Sequence, residues 1–338
     1  MRRLLFLTLL LAAFVPPALL LARSETYPPG PATIDIAASK IRWNPQDWTD
    51  TDNGSLRFLA GFELTSPDGR FGGLSGLAIS PDGATLSAVT DTGHWITMPL
   101  THDGNQLKSP TSARLTPLQS HQGAPLSGKR DTDAEGLTID PQSGATYISF
   151  ERHHRITRLT ENDRVEIVVA QEALGALTNN KGLEALTFFK APGSDQTQLL
   201  ALSEGSLDED GNFKGFLRTL EPGAPLSAVS VKARAPFNPT DVTQLPDGDL
   251  LLLERRYSPA GGVGVQIRKI PGADAKANAL LDGPVILQAS NRYSIDNMEG
   301  IATRTANDGK QLVYLMSDDN FNPLQRTLLL QFEMTGAP

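Results

Sequence analysis

The chain has 338 residues, 39% of them hydrophobic, with 30 glycines and 24 prolines, which suits one large turn-rich β domain or two smaller ones. It has no cysteine, which excludes a disulfide framework, a thiolate zinc site and lipid-modified cysteine. The formal net charge of −8 argues against nucleic acid or an anionic lipid surface as the principal partner.

Met1-Arg2-Arg3 is a short basic start, and Leu4 to Ala22 is apolar apart from Thr8 and the break at Pro16-Pro17. Residues 1–24 therefore predict a secretory signal or, left uncleaved, a membrane anchor, and with either a periplasmic or secreted protein. Their removal takes away Arg2, Arg3 and Arg23 and no acid, leaving 27 basic against 38 acidic side chains, a charge of −11. That balance suits a site loaded with a cation. Residues 25–54, rich in Pro, Asp and Asn, read as a surface linker with one strand at Ala32–Ala37. Leu56–Leu64 then opens a folded domain expected over residues 55–336.

Within that domain one unit recurs: a strand, a turn and a second strand, with an acid near the start of the first and the end of the second. It is clearest in Asp131-Thr-Asp-Ala-Glu-Gly-Leu-Thr-Ile-Asp140 followed by Ala145-Thr-Tyr-Ile-Ser-Phe-Glu151-Arg152. The first-strand positions are Ser75, Glu135, Glu184, Asp241 and Glu299, at spacings of 49 to 60 residues. The second-strand positions are Asp91, Glu151, Glu204, Glu254 and Asp318. Repeats of this length, built of short strands, predict an all-β propeller of four-stranded blades. The count is five, or six if residues 101–128 or 260–291 hide further strands. The last repeat supplies only Glu299–Thr303, Leu312–Ser317 and Thr327–Met334. Leu56–Leu64 is expected to be its fourth strand, closing the ring and removing two free edges. Helical periodicity is confined to a turn or two at Gln171–Leu177.

The acids should converge at one mouth of the ring. Converging carboxylates repel, which leaves three physical outcomes. They hold a hard cation, typically Ca²⁺; they pair with Lys181, Arg152, Arg255 or Arg256; or they cap turns by accepting backbone N–H bonds. The candidates for chemistry are Glu135, Glu151, Glu184, Glu204, Glu254, Glu299 and Asp318, followed by Asp133, Asp91, Asp241, Asp319 and Asn320. The five histidines lack zinc-enzyme spacing; His153-His154, next to Glu151-Arg152, are the best placed for acid–base work. Asp208-Glu-Asp-Gly-Asn212 reads as a solvated turn.

Phe71-Gly-Gly-Leu-Ser-Gly-Leu77 with Thr90-Asp-Thr-Gly93, and Asp133-Ala-Glu-Gly136 with Phe150-Glu-Arg152, resemble the phytase-like β-propeller family. Lys181-Gly-Leu-Glu184, Leu253-Glu-Arg-Arg256 and Asn297-Met-Glu-Gly300 continue the pattern, so the resemblance covers about residues 55–335. Ala185 departs from it, standing where other units have Gly. The resemblance implies a phosphomonoester or phosphodiester hydrolase using calcium held by Glu135, Glu184, Asp241, Glu299, Asp318 and Asp133. Glu151, Glu204 and Glu254 would be the carboxylate partners in catalysis. Lys181, Arg152 and Arg255 would stabilise charge on the phosphoryl group of a small phosphorylated substrate. Two other classes fit the Glu-Gly units: a calcium-dependent lactonase-type hydrolase, and a non-catalytic propeller that binds a ligand or protein.

Overall fold

A computed structural model describes residues 30–336, apart from 161–163, 176, 179, 180 and 222. Five sheets succeed one another along the chain, each a meander of antiparallel strands. Their first strands are Leu74–Ile79, Ala134–Ile139, Leu183–Lys190, Asn238–Gln244 and Asn297–Thr305. Each of these touches its neighbours on either side, and the fifth returns to the first. The molecule is a five-bladed β-propeller with these strands innermost.

The ring closes as the repeat count requires. Leu56–Thr65 pairs antiparallel with Thr327–Met334, from Thr327 opposite Leu64 to Met334 opposite Leu56. The chain's two ends thus share the fifth blade, and neither strand is left as an open edge. Deletion of residues 55–65 is expected to yield an aggregating protein, checked by light scattering. A soluble truncation with one cooperative melt would contradict this account of closure.

Residues 101–128 and 260–291 supply no sixth blade. Ser112–Pro117 completes the first blade, and Val285–Ser290 the fourth. Leu280–Leu281 adds to the outside of the third. The stretch before the domain does lie on the propeller, but as three strands, the last being Asp52–Asn53 paired with Arg57 and Leu56. Ala32–Asp35 joins the outer edge of the first blade and Ala37–Lys40 that of the fifth, bracing neighbouring blades. Trp43 then enters the core, 1% exposed, stacked at 4.7 Å on Tyr293 and edge-on at 5.0 Å to Phe332. The helical turn near Gln171 is short, Gln171–Leu174. Among the described residues no helix is long and apolar enough to cross a membrane. Residues 1–24, expected to be a leader or anchor, lie outside the described residues.

Every innermost strand breaks its register with the second strand at the same place. Ladder pairs jump from Ser75 to Leu77, Ala134 to Leu137, Leu183 to Ala185, Pro239 to Asp241 and Met298 to Gly300. A β-bulge inserts one unpaired residue and turns it toward the strand end, a recurrent device beside binding sites. The residues left unpaired are Gly76, Glu135 with Gly136, Glu184, Thr240 and Glu299. Leu74 opposite Thr90 corresponds to Leu183 opposite Ser203, so Ser75 holds the place of Glu184 and Glu299 in the first blade.

Candidate functional site

The bulges correct the alignment drawn from the sequence. Matching acid to acid made Asp241 the equivalent of Glu184 and Glu299; the ladder puts Thr240 there and Asp241 one residue later. The second strands slip likewise. Ser203, Glu254 and Ser317 each pair with the residue before the bulge. Glu254 therefore matches the residue before Glu204 and before Asp318, and Arg255 takes the acid's place. One residue in a strand is one change of face.

Glu254 accordingly turns away from the mouth. It is fully buried and holds Arg268 at 2.6 and 2.8 Å and Gln266 at 2.7 Å inside the fourth blade. A buried pair satisfied on this scale is structural. Asp241 sits at the hub of the ring. The matching residues in other blades are Gly136, Ala185 and Gly300, which have little or no side chain. A Cβ on Gly136 would stand 2.4 Å from the Glu184 carbonyl oxygen, and one on Gly300 would stand 2.6 Å from Leu77 Cβ. The Asp241 carboxylate uses this space, accepting the amides of Val242 and Ile301 at 2.8 Å each. Burial pushes it well above the ordinary carboxylate range, while the amides of Ile301, Val242, Leu186 and Leu77 pull the other way. It ties the innermost strands of four blades together.

The other acids gather at one end of the ring. Asp133, Glu135 and Glu151 each offer an oxygen within 4.8 Å of the others. Glu184, Glu204 and Glu299 stand beside them, with Glu299 interacting with both Glu135 and Glu184. Asp318 faces Glu299, Asp319 and Asp91. Burial, then the charges of Asp133, Glu151 and Glu299, raises Glu135 well above its usual range, against a hydrogen bond from Ser75. Burial raises Glu184 likewise, with Glu204, Glu299 and Glu135 adding and Arg255 opposing. Burial also raises Glu299, opposed by Arg255 and Asn297. Glu135 is partly exposed, while Glu151, Glu184, Glu204, Glu299 and Asp318 are buried.

Cations and amides offset part of this charge. Arg255 bridges Glu204 at 3.2 Å and Glu299 at 3.0 Å, and its pKa rises because of the carboxylates around it, against its burial. Asn297 donates to Glu299 at 2.6 Å. Lys129 spans Asp91 at 2.7 Å and Asp133 at 2.6 Å, and Arg152 reaches Asp133 at 2.5 Å. Glu151 accepts the Gly182 amide at 3.0 Å; Asp318 accepts those of Leu74 and Asn320 at 3.1 and 2.9 Å. The bonds of Arg255 to Glu204 and Glu299, of Lys129 to Asp91 and Asp133, of Gly182 to Glu151 and of Leu74 to Asp318 join neighbouring blades or their loops. Lys181 is exposed, its side chain lying over Gly205 beside Glu204. His153 pairs with Asp131 at 2.9 Å, and His154 is buried. Lys129 and Asn297 carried no repeat signal, because each lies outside the acid positions that recur, whereas Ser75 stands at the recurring first-strand position itself.

Carboxylates still outnumber cations at this mouth, and the donor set of hard oxygens fits a hard divalent ion. Oxygens on one ion with bonds of about 2.4 Å lie up to roughly 4.8 Å apart, and single oxygens from Asp133, Glu135 and Glu151 lie within 4.8 Å of one another. The Thr240 hydroxyl, 2% exposed at the matching bulge of the fourth blade, and Asp91 Oδ1 have no hydrogen-bond partner among the described residues.

These acids predict a pH response. Burial pushes Glu151 up to about 7 against the Gly182 hydrogen bond, with Asp133 and Glu204 adding. Burial pushes Asp318 up to about 7 against the Asn320 hydrogen bond, with Glu299 adding. Each folded carboxyl keeps its proton above the ordinary values of 4.5 and 3.8. Its contribution therefore favours the fold below about pH 4 and is lost as pH rises through about 7. His94, His102 and His154, held down by burial, act in the opposite sense below their ordinary value. The comparison is therefore with Glu151→Gln and Asp318→Asn. In chelator, both variants should gain melting temperature on wild type as pH rises from 5 to 8. A constant difference would mean that these carboxyls do not titrate in that window.

Among curated proteins, none matches this sequence. Similar solved structures include a PQQ-bound aldose sugar dehydrogenase from Streptomyces coelicolor, with 13% identity and a TM-score of 0.44. The match covers 88% of this chain and 98% of that one. A gluconolactonase from Xanthomonas campestris is similar at 11% identity and a TM-score of 0.43, again covering 88% of this chain and 98% of that one. The family model for phytase-like proteins, described as "esterase-like activity of phytase", matches residues 69–321. That span holds the innermost strands of all five blades and the carboxylate end of the ring, and the chain belongs to the phytase-like family.

Proposed function

We propose that this protein is a calcium-dependent phosphoester hydrolase, exported through its N-terminal segment, that works at the carboxylate end of the propeller. Family membership supports a hydrolase. The observation that carries the metal is the group of Asp133, Glu135 and Glu151, whose oxygens lie within 4.8 Å of one another amid further acids. A binding propeller would be expected to pair its acids off with Arg and Lys; here Arg255, Lys129 and Arg152 leave most of them uncompensated.

Asp133, Glu135 and Glu151 would hold the ion, with Glu184 and Glu299 as neighbouring carboxylates. When bound, calcium would polarise the phosphoryl group and make a nearby water more acidic. Hydrolysis forms a bond from water oxygen to phosphorus and breaks the ester P–O bond, and a proton passes to the departing alkoxide. Glu184, raised by burial and by neighbouring carboxylates, suits the carrying of that proton. Arg255, braced between Glu204 and Glu299, and Arg152 would face charge building on the phosphoryl oxygens. Lys181 stands further out and would meet the substrate on entry.

The test is a screen of phosphomonoesters, phosphodiesters and lactones, each with calcium and with chelator. Phosphoester turnover should appear with calcium, vanish on chelation and fall at least about a hundredfold in Glu184→Gln, the scale of a lost general acid–base group. Lactone turnover alone would replace this reading with a lactonase. Calcium binding without turnover of either class would leave a binding propeller.

A further inference from the structure

A groove of about 660 Å³ opens beside the carboxylate mouth, between the fourth and fifth blades. Two of its lining residues, Arg255 and Asn297, are the ones bonded to Glu299. The groove and the acid cluster are therefore continuous. Its size is that of a small-molecule site, and its lining is mixed, with Val263, Ile295 and Leu324 beside a larger set of polar groups. Asn291, Asn297, Asn320, Asn322 and Gln325 contribute primary amides, which offer both donors and acceptors. Tyr257 and Tyr293 contribute flat rings. Tyr257 is 69% exposed, and Tyr293 is held by its stack on Trp43.

The groove's arginines are already committed. Arg255 faces Glu204 and Glu299; Arg326 faces Asp296 at 3.4 Å and Glu63 at 3.9 Å. Arg255 is shared between its two carboxylates and the phosphoryl group of the reacting ester, and Arg326 has two carboxylates, so a second anionic group on a ligand would find no further cation in the lining. A long alkyl chain would leave the amides unpaired when it displaced their water, which is costly. A ring or chain bearing hydroxyls matches both surfaces. Its hydroxyls exchange donors and acceptors with the amides, and its C–H faces lie on the tyrosines.

Resting on the hydrolase reading above, we propose that this groove holds the alcohol portion of the substrate and selects an uncharged, hydroxyl-rich group. The preferred substrate class is then a monophosphate ester of a neutral polyhydroxy alcohol, and a compound carrying a second phosphate is disfavoured.

The probes are glucose 1-phosphate, fructose 1,6-bisphosphate and octyl phosphate, all with calcium. Turnover of glucose 1-phosphate should exceed that of the other two by about tenfold or more in kcat/KM, the discrimination one pocket contact can supply. Tyr257→Ala and Asn291→Ala should raise KM for glucose 1-phosphate about tenfold more than they lower kcat. Preference for the bisphosphate or the octyl ester, or an unchanged KM in both variants, would overturn the proposal. Saturation-transfer NMR separates this from failure of the hydrolase reading. If no phosphoester is turned over, glucose 1-phosphate bound by wild type and lost in Tyr257→Ala still supports the groove. Absence of binding to wild type would overturn it.

Discussion

Calcium is expected to raise the melting temperature of the wild type, and the gain should collapse in Glu135→Gln and Glu299→Gln. A ligand that binds only the folded state adds RT ln(1 + [L]/Kd), about 2.7 kcal/mol at a hundredfold excess over Kd. For a domain of this size that is a shift of roughly 5–10 °C. Glutamine keeps the volume and one oxygen of each side chain but removes the charge, so packing is preserved while coordination weakens. The carboxylates give the variants a second signature. In chelator, repulsion among Glu135, Asp133, Glu151 and Glu299 is offset only in part, by Lys129, Arg152 and Arg255. Removing one charge there should leave the variant as stable as wild type or more so, and calcium should reverse the order. Ordinary structural acids predict the opposite: lower stability of both variants in either buffer, and no calcium-dependent shift in wild type. Melting curves of three proteins in two buffers separate the cases.

The sequence displayed the architecture through the repeat itself. An acid at the end of each strand pair, together with a last repeat one strand short, was enough to imply the ring and its closure by Leu56–Thr65. The register was not legible, because a β-bulge adds a residue without leaving a mark in the composition. Aligning acid with acid gave Glu254 and Asp241 to the mouth, whereas the ladder aligns Glu254 with Ser203 and Ser317. Arg255 was legible as a partner for the acids but not as the residue that replaces one of them. Lys129 was invisible for another reason. It reaches Asp91 from 38 residues away, from the short helical turn Lys129–Thr132 that links the first blade to the second. The bracing strand Ala32–Asp35 buries one residue, Ile34, and Ala37–Lys40 buries none, too little alternation to separate paired strand from linker.

Replacement of Asp241 should be the most damaging single change in the inner ring, and calcium should make no difference to it. The innermost strand of a blade has no ladder partner on its channel side, so inward-facing amides there need another acceptor. Asp241 provides it for Val242 and Ile301 at 2.8 Å and draws on the amides of Leu186 and Leu77 as well. Asp241→Asn keeps the shape but trades one acceptor oxygen for an NH2, which turns a donor toward donors. Asp241→Ala leaves the amides unpaired in a space too small to refill. With about 1–3 kcal/mol for each buried group left unsatisfied, a loss of about 3–5 kcal/mol is expected, among the largest for one residue. The loss should be equal in calcium and in chelator, because the carboxylate is occupied by backbone. If Asp241→Asn instead retained wild-type stability in chelator and lost only the calcium-dependent gain, Asp241 would be a ligand of the ion. The hub would then have to be held by strand packing alone.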